Sequence, residues 1–161
     1  MSDKKISVVV SVYNEEQSLH NFYSDTLSVL ENIVWDYELI FVNDGSTDNS
    51  RMILDSFAKE NKKVKVLNFS RNFGHEAAMI AGIDHSAGDG IVCMDADLQH
   101  PPEIIPEIVE KLDDGFEIVS HPMTLDYHKN VMPWESVLRK VRSLGYTSHQ
   151  AETCGLHIHV N

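Results

Sequence analysis

A chain of 161 residues that is 42% hydrophobic and 24% charged has the size and composition of one globular domain with a single hydrophobic core. Its formal net charge of -12 argues against nucleic-acid binding, because phosphate contacts require clustered Lys and Arg. No apolar run reaches the roughly 20 residues that cross a bilayer, and the N-terminal sequence lacks the apolar core of a signal peptide.

The first two thirds of the chain alternate short β-branched runs with longer amphipathic segments. This alternation predicts an α/β fold with a mainly parallel sheet and helices on both faces. The predicted elements, in chain order, are strand 6–12, helix 16–33, strand 37–42, a helix through 52–57, strand 64–69, helix 75–86, strand 91–94 and helix 102–112.

Polar turns follow the first two strands. Tyr13-Asn14-Glu15 comes after the first, and the sequence NDGSTD comes after the second. Gly45 permits a tight turn, and Ser46, Thr47 or Asp48 can cap the helix that follows. Because parallel strands end at the same edge of a sheet, a single binding cleft could gather these turns.

The segment 90–103, GIVCMDADLQHPPE, carries the strongest chemical signal. Alternate residues of an extended chain point the same way, so Asp95, Asp97 and Gln99 can present three oxygen ligands on one side. Such ligands, without a nearby Cys or His pair, suit Mg²⁺ or Mn²⁺. Asp also caps turns, so an isolated acidic pair is more often structural. Its position after a buried strand favours the metal site.

Four segments carry a family resemblance: VVVSVYNEE, ELIFVNDGSTDNS, LNFSRNFGHEAAMIAGIDHSAGD and IVCMDADLQHPPE. In this order they resemble family 2 glycosyltransferases of the GT-A fold, most closely polyprenyl-phosphate sugar transferases of the dolichol-phosphate mannose synthase type. The resemblance covers residues 6–119 and implies an incomplete, Rossmann-like, nucleotide-sugar-binding half. Where many members have proline, this chain has Ser11, a departure that affects the rigidity of the turn more than its chemistry.

The resemblance also implies roles for individual residues. The implied nucleotide-sugar-binding residues are Tyr13, Glu15, Asp44, Arg71 and Asp95, with Asp44 accepting hydrogen bonds from the base or ribose. Asp95 and Asp97 are the implied catalytic residues, and together with Gln99 they are the implied metal ligands.

Three further residues near these motifs have structural interpretations. A solvated loop arginine is the alternative for Arg71. His75 and His100 are interpreted as helix-start or loop residues rather than catalytic bases.

The function implied by the resemblance is transfer of a sugar from a nucleotide-diphosphate donor to a lipid-linked polyprenyl phosphate, with Mg²⁺ or Mn²⁺, in cell-envelope polysaccharide or glycolipid synthesis. A phosphate acceptor is already ionised near neutral pH, so no strong base is required. The two cysteines, Cys93 and Cys154, suggest no disulfide framework, which together with the composition predicts a cytoplasmic protein, often at the membrane's cytoplasmic face in this family. An inactive nucleotide-sugar-binding fragment is the first alternative.

The character of the sequence changes at residue 120. Residues 1–119 carry a net charge of -13 and residues 120–161 carry +1, with five of the nine histidines. Strands are predicted at 116–119 and 154–160, and a helix at 134–144. The run TCGLHIHVN resembles the putative amidoligases, carboxylate-amine ligases related to glutamine synthetase, and implies His157 as a metal ligand.

The sequence therefore predicts two parts. Residues 1–119 form the glycosyltransferase part, and residues 120–161 form a tail of foreign character, such as the junction of two unrelated genes would produce. A fragment of an amidoligase, acting through the tail, is the second alternative for the function.

Overall fold

The computed structural model describes residues 4–97, residues 101–114 and Arg139. Four strands, Lys5–Val12 (β1), Asp36–Asn43 (β2), Val64–Asn68 (β3) and Gly90–Asp95 (β4), form one parallel sheet in the order β3-β2-β1-β4. The helices are Leu19–Leu30 (α1), Ser50–Glu60 (α2), His75–His85 (α3) and Ile105–Asp114 (α4), and a 3₁₀ turn at Pro102–Ile104 leads into α4. The predicted α/β fold with a parallel sheet is confirmed.

Helices cover the sheet on both faces, which is why its central strands are apolar on both sides. On one face, α1, α2 and α4 pack over a core that contains Phe22, Phe41 and Leu54. On the other face, α3 lies against Val9, Ile40 and Val42 through its Ala78. The two-faced burial confirms the interpretation of the β-branched runs as strands of a covered parallel sheet.

Element boundaries differ from the predicted ones where local hydrogen bonds intervene. The predicted helix 16–33 is shorter in the structure, where it spans Leu19–Leu30, and the Glu15 carbonyl accepts the N–H groups of Ser18 and Leu19 in the turn that precedes it. Among the three predicted caps of α2, Asp48 accepts the N–H of Ser50 at 3.0 Å. Asn49 occupies the capping position itself without a side-chain hydrogen bond.

The sheet order creates a crevice between β1 and β4. The chain adds β2 and β3 on one side of β1 and then returns to add β4 on the other side. In register, Ser11 of β1 pairs with Asp95 of β4. Ligands of open α/β sheets bind outside the carboxyl ends of strands at such a reversal of strand order. A ligand site is therefore expected at the carboxyl ends of β1 and β4.

A buried carboxylate, Glu38, ties three strands to the loop after α3. It is 4% exposed, and its Oε1 accepts hydrogen bonds at 2.6 Å from both the Ser7 hydroxyl and the Ala87 N–H. Lys65 Nζ donates to its Oε2 at 2.6 Å. Burial opposes ionisation, but these hydrogen bonds outweigh it and hold the pKa of Glu38 below its usual value.

Glu38→Gln is expected to lower the free energy of unfolding by about 1 to 3 kcal/mol at pH 7, because an amide loses the charged hydrogen bonds. Since the folded-state pKa lies below the unfolded value, the stabilisation exists above an unfolded pKa of about 4.3 and is lost as the pH falls through the folded pKa. Urea unfolding of both proteins should show the difference shrinking below about pH 4.

Glu60→Gln, at the exposed end of α2, is the matched control and should leave stability nearly unchanged. A deficit in Glu38→Gln that stays constant from neutral to acidic pH would contradict the ionic role of Glu38.

The predictions about membrane-spanning segments and about cysteines can be compared with the structure only over the described residues. No helix in the ranges 4–97 and 101–114 is long and apolar enough to cross a membrane. Cys93 is a free cysteine, and burial raises the pKa of its thiol to about 12. Cys154, His157, the predicted strands 116–119 and 154–160, and the predicted helix 134–144 lie outside the described residues.

Candidate functional site

A cavity of about 220 Å³ lies at the carboxyl ends of β1, β2 and β4. Five of the predicted site residues line it, namely Tyr13, Glu15, Asp44, Asp95 and Asp97. Four residues that the sequence did not assign to the site also line it, namely Ser11, Asn72, His75 and Ala96. The predicted convergence of polar turns at one edge of the sheet is therefore present in the structure.

The turn after β1 is fastened to the turn after β2. Asn14 has a φ of 57°, a left-handed conformation that Asn tolerates, and its Oδ1 accepts the N–H of Thr47 at 2.8 Å. The N–H of Glu15 donates to Ser50 Oγ at 2.9 Å. These contacts hold Asn14 and Glu15 against the segment after β2, and Tyr13 and Glu15 both line the cavity.

Asp44 is almost completely buried, with 1% of its surface exposed. Its Oδ1 accepts the N–H of Phe73 at 2.7 Å, and its Oδ2 accepts the N–H of Gly74 at 2.9 Å. A carboxylate has about four acceptor sites, so these two bonds leave capacity for a ligand. Asp44 therefore joins β2 to the segment before α3 while it also lines the cavity.

Gly45 permits the close approach of that segment. Its φ is +68°, and a Cβ at this position would lie 2.6 Å from both Arg71 Cα and the Asn72 nitrogen. Arg71 itself is exposed and does not line the cavity; its Cζ lies 4.3 Å from the centre of the Phe73 ring. The role of Arg71 beside the donor stays a prediction.

Asp95 and Asp97 carry the predicted metal chemistry, and both line the cavity. Gln99 and His100 lie outside the described residues. Among the residues that the structure describes, no group of three or more His, Cys, Asp and Glu side chains converges as in a site built by protein alone. Two carboxylates that line the same cavity nevertheless fit Mg²⁺ or Mn²⁺, because these ions keep water and take oxygen atoms from substrate phosphates.

His75, which the sequence interpretation placed outside the catalytic set, contacts the predicted metal site. Its Nδ1 lies 3.1 Å from Ser11 Oγ and 3.3 Å from Asp95 Oδ1. The position of His75 in the sequence could have indicated this contact. His75 is the first residue of α3, so it lies near the strand ends where the other polar turns meet.

A second hollow, of about 560 Å³, lies between α1 and α2. Its floor includes the stacked rings of Tyr23 and Phe57, whose centroids are 3.9 Å apart. It contains none of the residues that the motifs predict, and helices rather than strand ends form it. The smaller cavity at the strand ends is therefore the candidate site.

A family model described as Glycosyl transferase family 2 matches residues 7–161, a range that includes the predicted tail. The uncharacterized glycosyltransferase YkcC of Bacillus subtilis is 49% identical over 113 residues, which are 70% of this chain and 35% of the relative. The uncharacterized glycosyltransferase sll0501 of Synechocystis is 44% identical over 115 residues, 71% of this chain and 36% of the relative. The chain thus spans about a third of the length of these curated relatives.

Among solved structures, glucosyl-3-phosphoglycerate synthase from Mycobacterium tuberculosis, in complex with Mn²⁺, UDP and glucosyl-3-phosphoglycerate, is similar with a TM-score of 0.55. The two proteins are 26% identical, and the match covers 70% of this chain and 40% of that one. The sheet and its helices thus have the fold of glycosyltransferase structures.

Proposed function

The chain belongs to glycosyl transferase family 2, and we propose that its strand-end cavity binds the nucleoside diphosphate of a nucleotide-sugar donor. The observation that carries the proposal is the acidic lining of that cavity. Glu15, Asp44, Asp95 and Asp97 all border a space of about 220 Å³. A diphosphate would be repelled there unless a cation accompanied it, so the arrangement suits a metal-bound nucleotide.

The residue roles in this proposal follow the motifs. Asp95 and Asp97, with Gln99, would hold Mg²⁺ or Mn²⁺, and the Mn²⁺ and UDP of the mycobacterial relative support this choice. When bound, the ion would supply positive charge that neutralises the departing nucleoside diphosphate. Asp44 binds the base or ribose with the acceptor capacity that its two backbone hydrogen bonds leave.

The remaining donor contacts come from the turns around the cavity. Tyr13 and Glu15 line the nucleotide pocket, where the turn that contains Asn14 holds them. Arg71 lies beside the segment that borders the cavity and supplies a charge partner for the donor. These residues orient the sugar donor, which leaves the acceptor side to other parts of the protein.

The acceptor that we propose is a polyprenyl phosphate, so that the whole protein, at the cytoplasmic face of a membrane, moves a sugar onto a lipid-linked phosphate. The proposal rests on the resemblance of four segments, including IVCMDADLQHPPE, to transferases of that type. An acceptor phosphate is ionised near neutral pH, and its oxygen attacks without a strong protein base.

The experiment that tests the function measures binding and transfer on the same 161-residue chain. Calorimetry with UDP-sugars and GDP-sugars, in Mn²⁺ and in EDTA, should show affinity that depends on the metal. Incubation of the bound donor with a polyprenyl phosphate should give a glycolipid product. Equal affinities in Mn²⁺ and in EDTA would contradict the metal-dependent site, and binding without any transfer would favour the inactive nucleotide-sugar-binding alternative.

We also propose that the boundary at residues 119 and 120 separates donor binding from the rest of the chain. All the residues assigned to the donor precede Val119, so a chain that ends at Ser120 should bind the donor as tightly as the full chain. Calorimetric affinities and thermal unfolding of the two chains provide the comparison. Loss of binding or of folding in the shorter chain would make residues 120–161 part of the same domain.

A further inference from the structure

Three elements of the fold meet at His75. Ser11 and Asp95 are register partners near the ends of β1 and β4. His75 is the first residue of α3, the helix that packs on the sheet face containing Val9 and Val42. Ser11 is 9% exposed. The side chains of His75 and Asp95 are 29% and 31% exposed. The imidazole therefore lies at the wall of the cavity, between a buried hydroxyl and a partly exposed carboxylate.

The chemistry of these groups determines where the imidazole proton lies. His75 Nδ1 is 3.1 Å from Ser11 Oγ and 3.3 Å from Asp95 Oδ1. An ionised carboxylate can only accept, and a nitrogen lone pair at that distance would be repelled by it. A proton on Nδ1 interacts favourably with both oxygens, whereas a bare Nδ1 could be satisfied by Ser11 alone. The geometry thus favours a proton on Nδ1.

From this arrangement we infer that His75 is a positioning residue for Asp95, and that Ser11 fixes the imidazole in its orientation. The contact at Oδ1 limits the rotation of the Asp95 carboxylate and leaves Oδ2 for the cation that accompanies the nucleotide. This inference rests on the proposed function, in which Asp95 binds a cation and its carboxylate must be correctly oriented. It assigns His75 a role in metal and donor affinity and no role as a base.

The expected loss of Mn²⁺ affinity on replacing His75 follows from the general behaviour of residues that orient metal ligands. Loss of such a partner costs about 10- to 100-fold in metal affinity or activity. His75→Ala should therefore weaken Mn²⁺ binding by at least ~10-fold. Ser11→Ala keeps the imidazole and removes its contact with Ser11 Oγ, so its effect on Mn²⁺ affinity should be smaller and of the same sign.

Two amide variants separate positioning from simple packing. The side-chain nitrogen of Asn branches from the same γ carbon as His Nδ1, so His75→Asn retains a donor toward Ser11 and Asp95. The amide of Gln is one carbon farther out and resembles Nε2. His75→Asn should recover most of the affinity that His75→Ala loses, and His75→Gln should not. A residue that only filled space would show no such order, because Gln is closer to His in volume.

The first measurement needs neither metal nor substrate. Nitrogen-15 NMR of the histidine rings in the metal-free 161-residue chain should show His75 Nδ1 carrying a proton. Asp95→Asn should alter the Nδ1 resonance. An unprotonated Nδ1 in the wild-type chain would overturn the inference.

The second measurement is Mn²⁺ affinity by electron paramagnetic resonance, in the presence of UDP and separately of GDP, with thermal unfolding of each variant as the check on folding. The expected order of affinity is wild type, then Asn, with Gln and Ala well below. Equal affinities for the Asn and Gln variants, at equal stability, would overturn the positioning role alone. A wild-type chain that binds no Mn²⁺ with either nucleotide would overturn the proposed metal site, and with it the inference.

Discussion

Replacement of Asp97 by Asn is expected to abolish the gain in nucleotide-sugar affinity that Mn²⁺ provides. Among the described residues, Asp95 and Asp97 are the two carboxylates of the acidic motif that line the cavity, so the change removes one of few anionic ligands. We expect the Mn²⁺-dependent affinity to fall by at least ~100-fold, since changes in residues that only support metal ligands already cost about 10- to 100-fold. Calorimetry with the donor, in Mn²⁺ and in EDTA, measures the loss.

Asp25→Asn is the matched control, because Asp25 is an exposed carboxylate on α1, on the face of the sheet opposite α3. It makes the same change in net charge and should leave the metal effect intact. If Asp97→Asn kept the full enhancement by Mn²⁺, Asp97 would not be a metal ligand and the proposed site would lose one of its two described carboxylates.

Asp44→Ala is expected to reduce both stability and nucleoside binding. The substitution leaves the N–H groups of Phe73 and Gly74 without the carboxylate that now accepts them at 2.7 Å and 2.9 Å. Both hydrogen bonds are partly buried. An unsatisfied donor costs about 1 to 3 kcal/mol when buried and less where water reaches it, so the free energy of unfolding should fall by about 2 to 4 kcal/mol. Binding of free uridine or guanosine should weaken by about 1 to 3 kcal/mol, because a charge-assisted hydrogen bond is lost.

Asp44→Asn is the informative companion, since it keeps one side-chain oxygen as an acceptor and loses the charge. Its unfolding free energy in urea should lie between those of the wild type and Asp44→Ala. If Asp44→Ala bound the free nucleoside normally and lost only diphosphate affinity, Asp44 would contact the diphosphate instead of the base or ribose.

The fold was predictable because its signals are local. The run ISVVVSV in β1 and the runs in β2 and β4 are mainly apolar on both faces, which is typical of strands covered on both sides. The boundaries were less predictable where a few hydrogen bonds decide them. Helix α1 begins at Leu19 after a turn in which the Glu15 carbonyl accepts the N–H groups of Ser18 and Leu19, and the apolar periodicity of the sequence does not distinguish that turn from the helix.

The strand ends that form the candidate site could be predicted from the sequence. The contacts between side chains within the site could not. Tyr13, Asp44 and Asp95 each follow or end a strand, and a parallel sheet brings such positions to one edge. The contact of His75 with Asp95 depends on β4 lying beside β1, which is a property of strand order that no short motif encodes. The hydrogen bonds that the Asp44 carboxylate accepts from the Phe73 and Gly74 N–H groups likewise join residues about 30 positions apart, which no short motif encodes.

The proposed function requires that the strand-end cavity, and not the larger hollow between α1 and α2, binds the nucleoside diphosphate. Backbone NMR of the 161-residue chain, titrated with UDP and with GDP in the presence of Mg²⁺, distinguishes the two sites. We expect the amide resonances of residues 13–15, 44–46, 72–75 and 95–97 to shift, and those of 20–32 and 56–60 to stay in place. Shifts confined to α1 and α2, or no shift with either nucleotide, would contradict it.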